Sequence, residues 1–207
     1  MAPIVLVTSD TIHGRRGAEV SVQLTRDGSM QHMRHTIIPY YVQGVFAGSS
    51  ALGLSDKFDP LARTEIVVEG ERDPVYKTVL TVYVQTVSSM AAIYSRLLLE
   101  FLGLRSGGIP SALQSVGKRR NGDIGIEHYQ RKDGRSLAKV LPSIVQEFPD
   151  AQEVERAWIV VCDFAGQRLA HATDDLRLGN IDVTPMLRQA FETIPQVVSH
   201  AFYNALD

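Results

Sequence analysis

Three observations predict a mainly α fold: a four-helix antiparallel bundle over residues 76–207, preceded by a small β-containing segment over residues 1–75. First, Val79, Tyr83, Thr86, Met90, Ile93, Leu97 and Phe101 recur every three or four positions, the period of a helix with one apolar stripe. Second, helix-start signals stand at Asp150 with Glu153 and at Thr184 with Pro185, an acidic cap with a capping-box partner and a threonine cap with a first-turn proline. Third, the chain before residue 76 carries short β-branched runs and turn residues instead of that period.

Residues 3–8 (PIVLVT) read as a strand, and 9–17 as a polar loop with His13, Arg15 and Arg16. Val20, Val22 and Leu24 alternate with polar neighbours, which predicts a second strand-like run. Arg26-Asp27-Gly28-Ser29 has the chemistry of a hairpin turn. Residues 30–41 would then return as its partner strand, with His32 and His35 on opposite faces. Residues 40–54, with Gly48, Ser49, Ser50 and Gly53, read as a loop or short helix, and 64–69 (TEIVVE) as a further strand. The polar stretch 70–74 ends in Pro74 and marks the boundary.

The first bundle helix follows over residues 75–104 and stops at Gly103. Residues 105–135 read as a long glycine-rich basic connection, in which Asp123, Glu127 and Asp133 dilute the charge of Arg105, Lys118, Arg119, Arg120 and others. A second helix is expected over 136–148, kinked or started late by Pro142. The third runs over 150–173, and the fourth over 184–206 with a kink at Pro195.

Composition bounds the function. The chain has 207 residues, 44% hydrophobic and 21% charged, enough for one core with an appendage or for two small domains. A formal net charge of −2 exerts no global pull on nucleic acid or acidic membrane, so a polyanion site has to be a local patch. Cys162 is the only cysteine, which excludes an internal disulfide and a zinc ribbon; its apolar neighbours place it in the core. No run reaches the roughly 18 apolar residues of a membrane span, and the first residues lack a signal-peptide pattern, so a cytoplasmic protein is expected. The segment GLRSGG lacks the Gly-Lys-Ser/Thr ending of a phosphate loop, and there is no Gly-x-Ser-x-Gly and no paired histidine spacing for a metal. No cofactor and no metal are expected.

The residues with chemistry concentrate in three places. Tyr94-Ser95-Arg96-Leu97-Leu98-Leu99-Glu100-Phe101-Leu102 lies in the first helix, Arg119-Arg120-Asn121-Gly122-Asp123-Ile124 and His128-Tyr129 lie in the connection, and Gln167-Arg168-Leu169-Ala170-His171-Ala172-Thr173 ends the third helix. On a regular helix Phe164, Arg168 and His171 share one face. This order resembles a group of bacterial helical proteins with an Arg-Leu-Leu-Glu-Phe helix and a late helix end carrying Ala-His-Leu-Thr, which in turn resemble HEPN-type bundles. The resemblance covers about residues 77–180.

It implies an RNA- or nucleotide-binding protein, with metal-independent ribonuclease activity as its sharpest form. Arg168 and His171 would be catalytic, with Arg96, Arg120 and His128 at the phosphate; a homodimer is implied as well. Two residues intervene between Arg168 and His171, fewer than in those nucleases. The competing reading is a non-enzymatic bundle for self-association or protein assembly. In that reading Arg168 pairs with Glu100 or an aspartate, and His171 caps a helix C-terminus.

Overall fold

A computed structural model describes residues 25–169 and 182–206, with the backbone alone at Gln167 and Arg168. Its elements are α1 (Arg26–His32), α2 (Ile38–Ser55), β1 (Arg63–Ile66), β2 (Tyr76–Val79), α3 (Leu80–Leu102), β3 (Leu104–Gly107), β4 (Ala112–Ser115), α4 (Ala151–Asp163), α5 (Thr184–Val198) and α6 (Asn204–Leu206). The protein is mainly helical, with two small antiparallel sheets, β1–β2 and β3–β4. No described helix is long and apolar enough to cross a membrane.

The first correction falls at the predicted hairpin. Thr25 Oγ1 accepts the Gly28 N–H at 3.1 Å, so the turn residues 26–29 become the capped first turn of α1. The predicted strand over 30–41 is helical throughout. A π-helical turn, Met33–Ile37, joins α1 to α2, with the Ile38 N–H donating to Met33 O. Pro39, one residue later, has no N–H to give. The expected loop or short helix over 40–54 lies within α2, and the strand read at 64–69 is shortened to β1.

α2 and α3 pack closely because small residues face each other. A Cβ at Gly48 would lie 2.2 Å from Ala91 Cβ, and one at Gly44 would lie 2.4 Å from the Tyr94 ring. This also corrects the face of α3. The buried side runs through Leu80, Val84, Ser88, Ala91, Ala92, Ser95, Leu98 and Leu99, while Thr86 and Met90 of the expected stripe are exposed. Small side chains outrank larger apolar ones here because interior packing selects fit as well as hydrophobicity. Ile38, Val45, Ala51 and Leu52 of α2 share one core with α3, α4 and α5. Trp158 and Phe191 are at the centre of that core, and Trp158 Nε1 donates to Thr193 Oγ1 at 2.8 Å.

The long connection is structured. β3 and β4 pair in register Leu104↔Ser115 to Gly107↔Ala112, burying Leu104 and Leu113. A 3₁₀ turn follows at Ile126–His128. Residues 136–141 are not helical, and only the 3₁₀ stretch Pro142–Glu147 forms where a second helix was expected. Pro142 stands at its start, where its missing N–H does no harm. At α4 the Asp150 side chain makes no capping bond. At α5 the cap is supplied from Asp182, whose Oδ1 accepts the Thr184 N–H at 2.9 Å. Pro195 lies inside α5, which passes into a π turn at Ser199–Tyr203.

Candidate functional site

The second half of α3 carries Arg96 and Glu100 one turn apart, and Arg96 Nε donates to Glu100 Oε1 at 2.9 Å. With side chains 39% and 38% exposed, such a pair contributes about 0–1 kcal/mol. Its consequence is geometric, since it turns the outer guanidinium edge toward the end of α4. There the helix widens into a π turn, Phe164–Arg168, closed by the Leu169 N–H to Phe164 O at 3.1 Å. Gly166 sits on that turn, and a Cβ there would come within 2.9 Å of Arg96 Nη1. The regular period that put Phe164, Arg168 and His171 on one face therefore breaks at Phe164. Single π turns recur at functional sites.

The Arg96–Glu100 pair stands between two hollows. The polar one, about 340 Å³, is lined by Arg96, Glu100, Arg105, Ser106, Cys162, Asp163 and Gly166. Ser106 Oγ donates to Asp163 Oδ1 at 2.7 Å. Burial pushes the Cys162 thiol up to about 12, against a smaller opposing effect of a backbone hydrogen bond from Ser106. The thiol is thus neutral near pH 7 and no nucleophile.

The second hollow, about 330 Å³, mixes the apolar side chains of Met33, Ile38, Tyr41, Leu97, Phe101 and Ile124 with the charged ones of Glu100, Arg119 and Asp123. Glu100 borders both. Tyr41 is held by stacking on Tyr94, with ring centroids 4.9 Å apart and planes 20° from parallel. Tyr94 in turn donates its hydroxyl to Tyr40 at 3.0 Å. Burial first, and then the Tyr40 hydroxyl, raise the Tyr94 phenol to about 12, so it keeps its proton at neutral pH.

Together the two hollows form a furrow, and Arg119, which the sequence reading placed in the basic connection, lines its second hollow. This arginine is fully engaged. Nε and Nη2 meet the two Glu127 carboxylate oxygens at 2.8 and 3.1 Å, Nη1 donates to Glu100 O at 2.9 Å, and Nη2 donates to Phe101 O at 3.1 Å. The guanidinium thus supplies a donor to Phe101 O and a second donor to Glu100 O, which also accepts the Gly103 N–H at 3.1 Å, at the end of α3. It lies flat on the backbone of Gly125, where a Cβ would fall 2.1 Å from Nη2.

The predicted site residues divide. Arg96 is in the furrow. Arg120 is exposed, its backbone N–H donating to Asp123 Oδ2 at 3.1 Å. His128 Nδ1 accepts the Gly125 N–H at 3.0 Å, so it folds its own turn. Neither lines the furrow. Arg168 is the last residue of the π turn, while its side chain and all of His171 lie outside the described residues. Arg105, Ser106, Asp163 and Gly166, which line the polar hollow with Arg96, and Tyr41, which lines the second hollow, were not foreseen as site residues. Ser106 and Asp163 meet across 57 residues, and no local pattern signals such a pair. Among the described residues, no group of three or more His, Cys, Asp or Glu side chains could hold a metal ion.

Compared with family models, with curated proteins and with solved structures, the chain matches none.

Proposed function

We propose that the chain is a HEPN-like protein that binds RNA or a nucleotide, its long helices forming an antiparallel bundle and the polar hollow beside α3 receiving a phosphate. The observation that carries this reading is the Arg96 guanidinium, fixed through Nε by Glu100 with its outer edge over Gly166. A guanidinium held this way offers a planar fork to phosphate oxygens. Arg105 adds a second cation at the same hollow. Of the opposing carboxylates, Glu100 is engaged by Arg96 and Asp163 by the Ser106 hydroxyl. In the sequence Arg168 follows Gly166 by two residues and His171 by five. Where the bound RNA is cleaved, His171 is the base for its 2′-hydroxyl, with a pKa range suited to that step.

The test is fluorescence anisotropy with a labelled single-stranded RNA. Binding weakens with added salt, and Arg96→Ala and Arg105→Ala each weaken it about tenfold with unchanged melting temperature. His171→Ala abolishes cleavage or binding and also leaves melting unchanged. A His171→Ala protein that unfolds, or that binds RNA like its parent, ends this assignment.

A second reading, self-association, has an observation of its own. Among the described residues, every large exposed apolar side chain except Ile109 and Leu141 lies between Tyr40 and Met90. Exposed apolar side chains mark interaction surfaces where they are contiguous, and this stretch is the candidate for such a surface. Phe46→Glu with Val82→Glu lowers the sedimentation mass under this reading; an unchanged mass removes it.

A further inference from the structure

The phosphate reading leaves the second hollow without a role, although it shares Glu100 with the first. At about 330 Å³ it falls within the roughly 300–1,000 Å³ of small-ligand sites. Its apolar side chains include Tyr41, Leu97 and Ile124, and its charges are the carboxylates of Glu100 and Asp123 and the guanidinium of Arg119. Arg119 is already engaged by Glu127 and two carbonyls. Glu100 is engaged by Arg96. Asp123 uses Oδ2 on the Arg120 N–H, and among the described residues its Oδ1 accepts no hydrogen bond.

Apolar side chains, the Tyr41 ring among them, beside an exposed carboxylate oxygen that no described donor engages suit an aromatic ligand whose edge carries N–H donors. The nucleobases differ on this point. Guanine presents two adjacent donors, N1–H and the 2-amino group, and so matches a carboxylate. Adenine and cytosine place an acceptor nitrogen beside their amino group, and uracil flanks its one N–H with two carbonyls. We infer that this hollow takes the base of a guanine nucleotide, with Asp123 accepting from its Watson–Crick edge and Tyr41 and Leu97 bordering its ring. The inference rests on the phosphate reading of the adjoining hollow. Arg96 and Glu100 span one turn of α3, about 5.4 Å, and the sugar would cross between base and phosphate at that pair.

The experiment is calorimetric titration of the full chain with GMP, AMP, guanosine and inorganic phosphate. GMP binds about tenfold or more tightly than AMP, as one hydrogen bond to a charged acceptor, in place of an acceptor nitrogen facing it, requires, and guanosine binds without its phosphate. Asp123→Asn keeps an acceptor for the Arg120 N–H and turns an amide toward the base. It brings GMP and AMP within about twofold of each other while inorganic phosphate binds as before. Arg96→Ala weakens phosphate and GMP and leaves guanosine unchanged. Equal binding of GMP and AMP by the wild type, or a guanine preference that survives in Asp123→Asn, overturns the inference while phosphate binding still supports the proposed function. Absence of binding by all four probes overturns both.

Discussion

Arg119 and Glu127 form a two-point ion pair, 2.8 and 3.1 Å, on the same guanidinium that closes the carbonyl end of α3. With side chains only 10% and 22% exposed, this pair differs from the Arg96–Glu100 pair above it. Removing Arg119 takes from the partly buried Glu127 carboxylate its nearest cation, leaving Lys139 at 3.5 Å, and takes from Phe101 O its guanidinium donor. Arg119→Met is expected to cost roughly 2–4 kcal/mol, read as a lowered urea midpoint. A change below about 0.5 kcal/mol, the scale of an exposed substitution, would count against this role.

The same pair predicts acid sensitivity. Burial alone would raise the Glu127 carboxyl, but hydrogen bonds from Arg119 and its own backbone N–H, with the charges of Arg119 and Lys139, outweigh it and lower it from 4.5 to about 2. A group lowered on folding stabilises fully above its unfolded value and loses that contribution as pH falls through its folded value. Wild-type unfolding free energy should therefore drop between pH 4.5 and about 2, and that of Glu127→Gln should drop less. Urea midpoints taken across this window make the comparison; parallel curves would contradict it.

At the crossing of α2 and α3, Gly48 has no room for a side chain. An added Cβ would lie 2.2 Å from Ala91 Cβ and 3.1 Å from Phe191 Cε2. Gly48→Ala should destabilise by about 1–3 kcal/mol through overpacking, despite alanine's better helix propensity. A melting temperature equal to or above the parent's would show that the helices separate at no cost.

Gly166 makes the opposite case. The atom its Cβ would meet, at 2.9 Å, is Arg96 Nη1 at the far end of a flexible side chain. Gly166→Ala should shift stability by no more than about 1 kcal/mol while displacing the guanidinium and weakening RNA binding. Unchanged affinity in a folded Gly166→Ala protein would separate Arg96 from the phosphate.

Cys162 supplies a probe of opening. Although it borders the polar hollow, its thiol is buried and raised to about 12, so a disulfide reagent at pH 8 should modify it slowly in the native protein. Its rate should rise with urea in step with unfolding. Rapid native labelling would place the thiol at an accessible surface.

The local signals in the sequence identified some elements and misread others for one physical reason. α3 was legible because its apolar period extends over many turns and Gly103 ends it with φ +102°. β1 was legible from its β-branched run. The turn chemistry at residues 26–29 was read as a hairpin because Asp-Gly serves both a tight turn and a first helical turn; Thr25 decided between them through one hydrogen bond. α2 was obscured by the glycines that let it approach α3, since the feature that weakens a helix locally is what packs it globally.

The sequence by itself determined a mainly helical chain, a buried lone thiol, the i, i+4 spacing of Arg96 and Glu100 and the absence of a strong global charge. These follow from local period, composition and spacing. Only the tertiary structure decided which face of α3 is buried, that Arg119 is an engaged core-edge cation while its neighbour Arg120 is exposed, and that Ser106, Asp163 and Gly166 meet Arg96. Those relationships join residues tens of positions apart, where packing and the pairing of buried polar groups, not local propensity, set the arrangement.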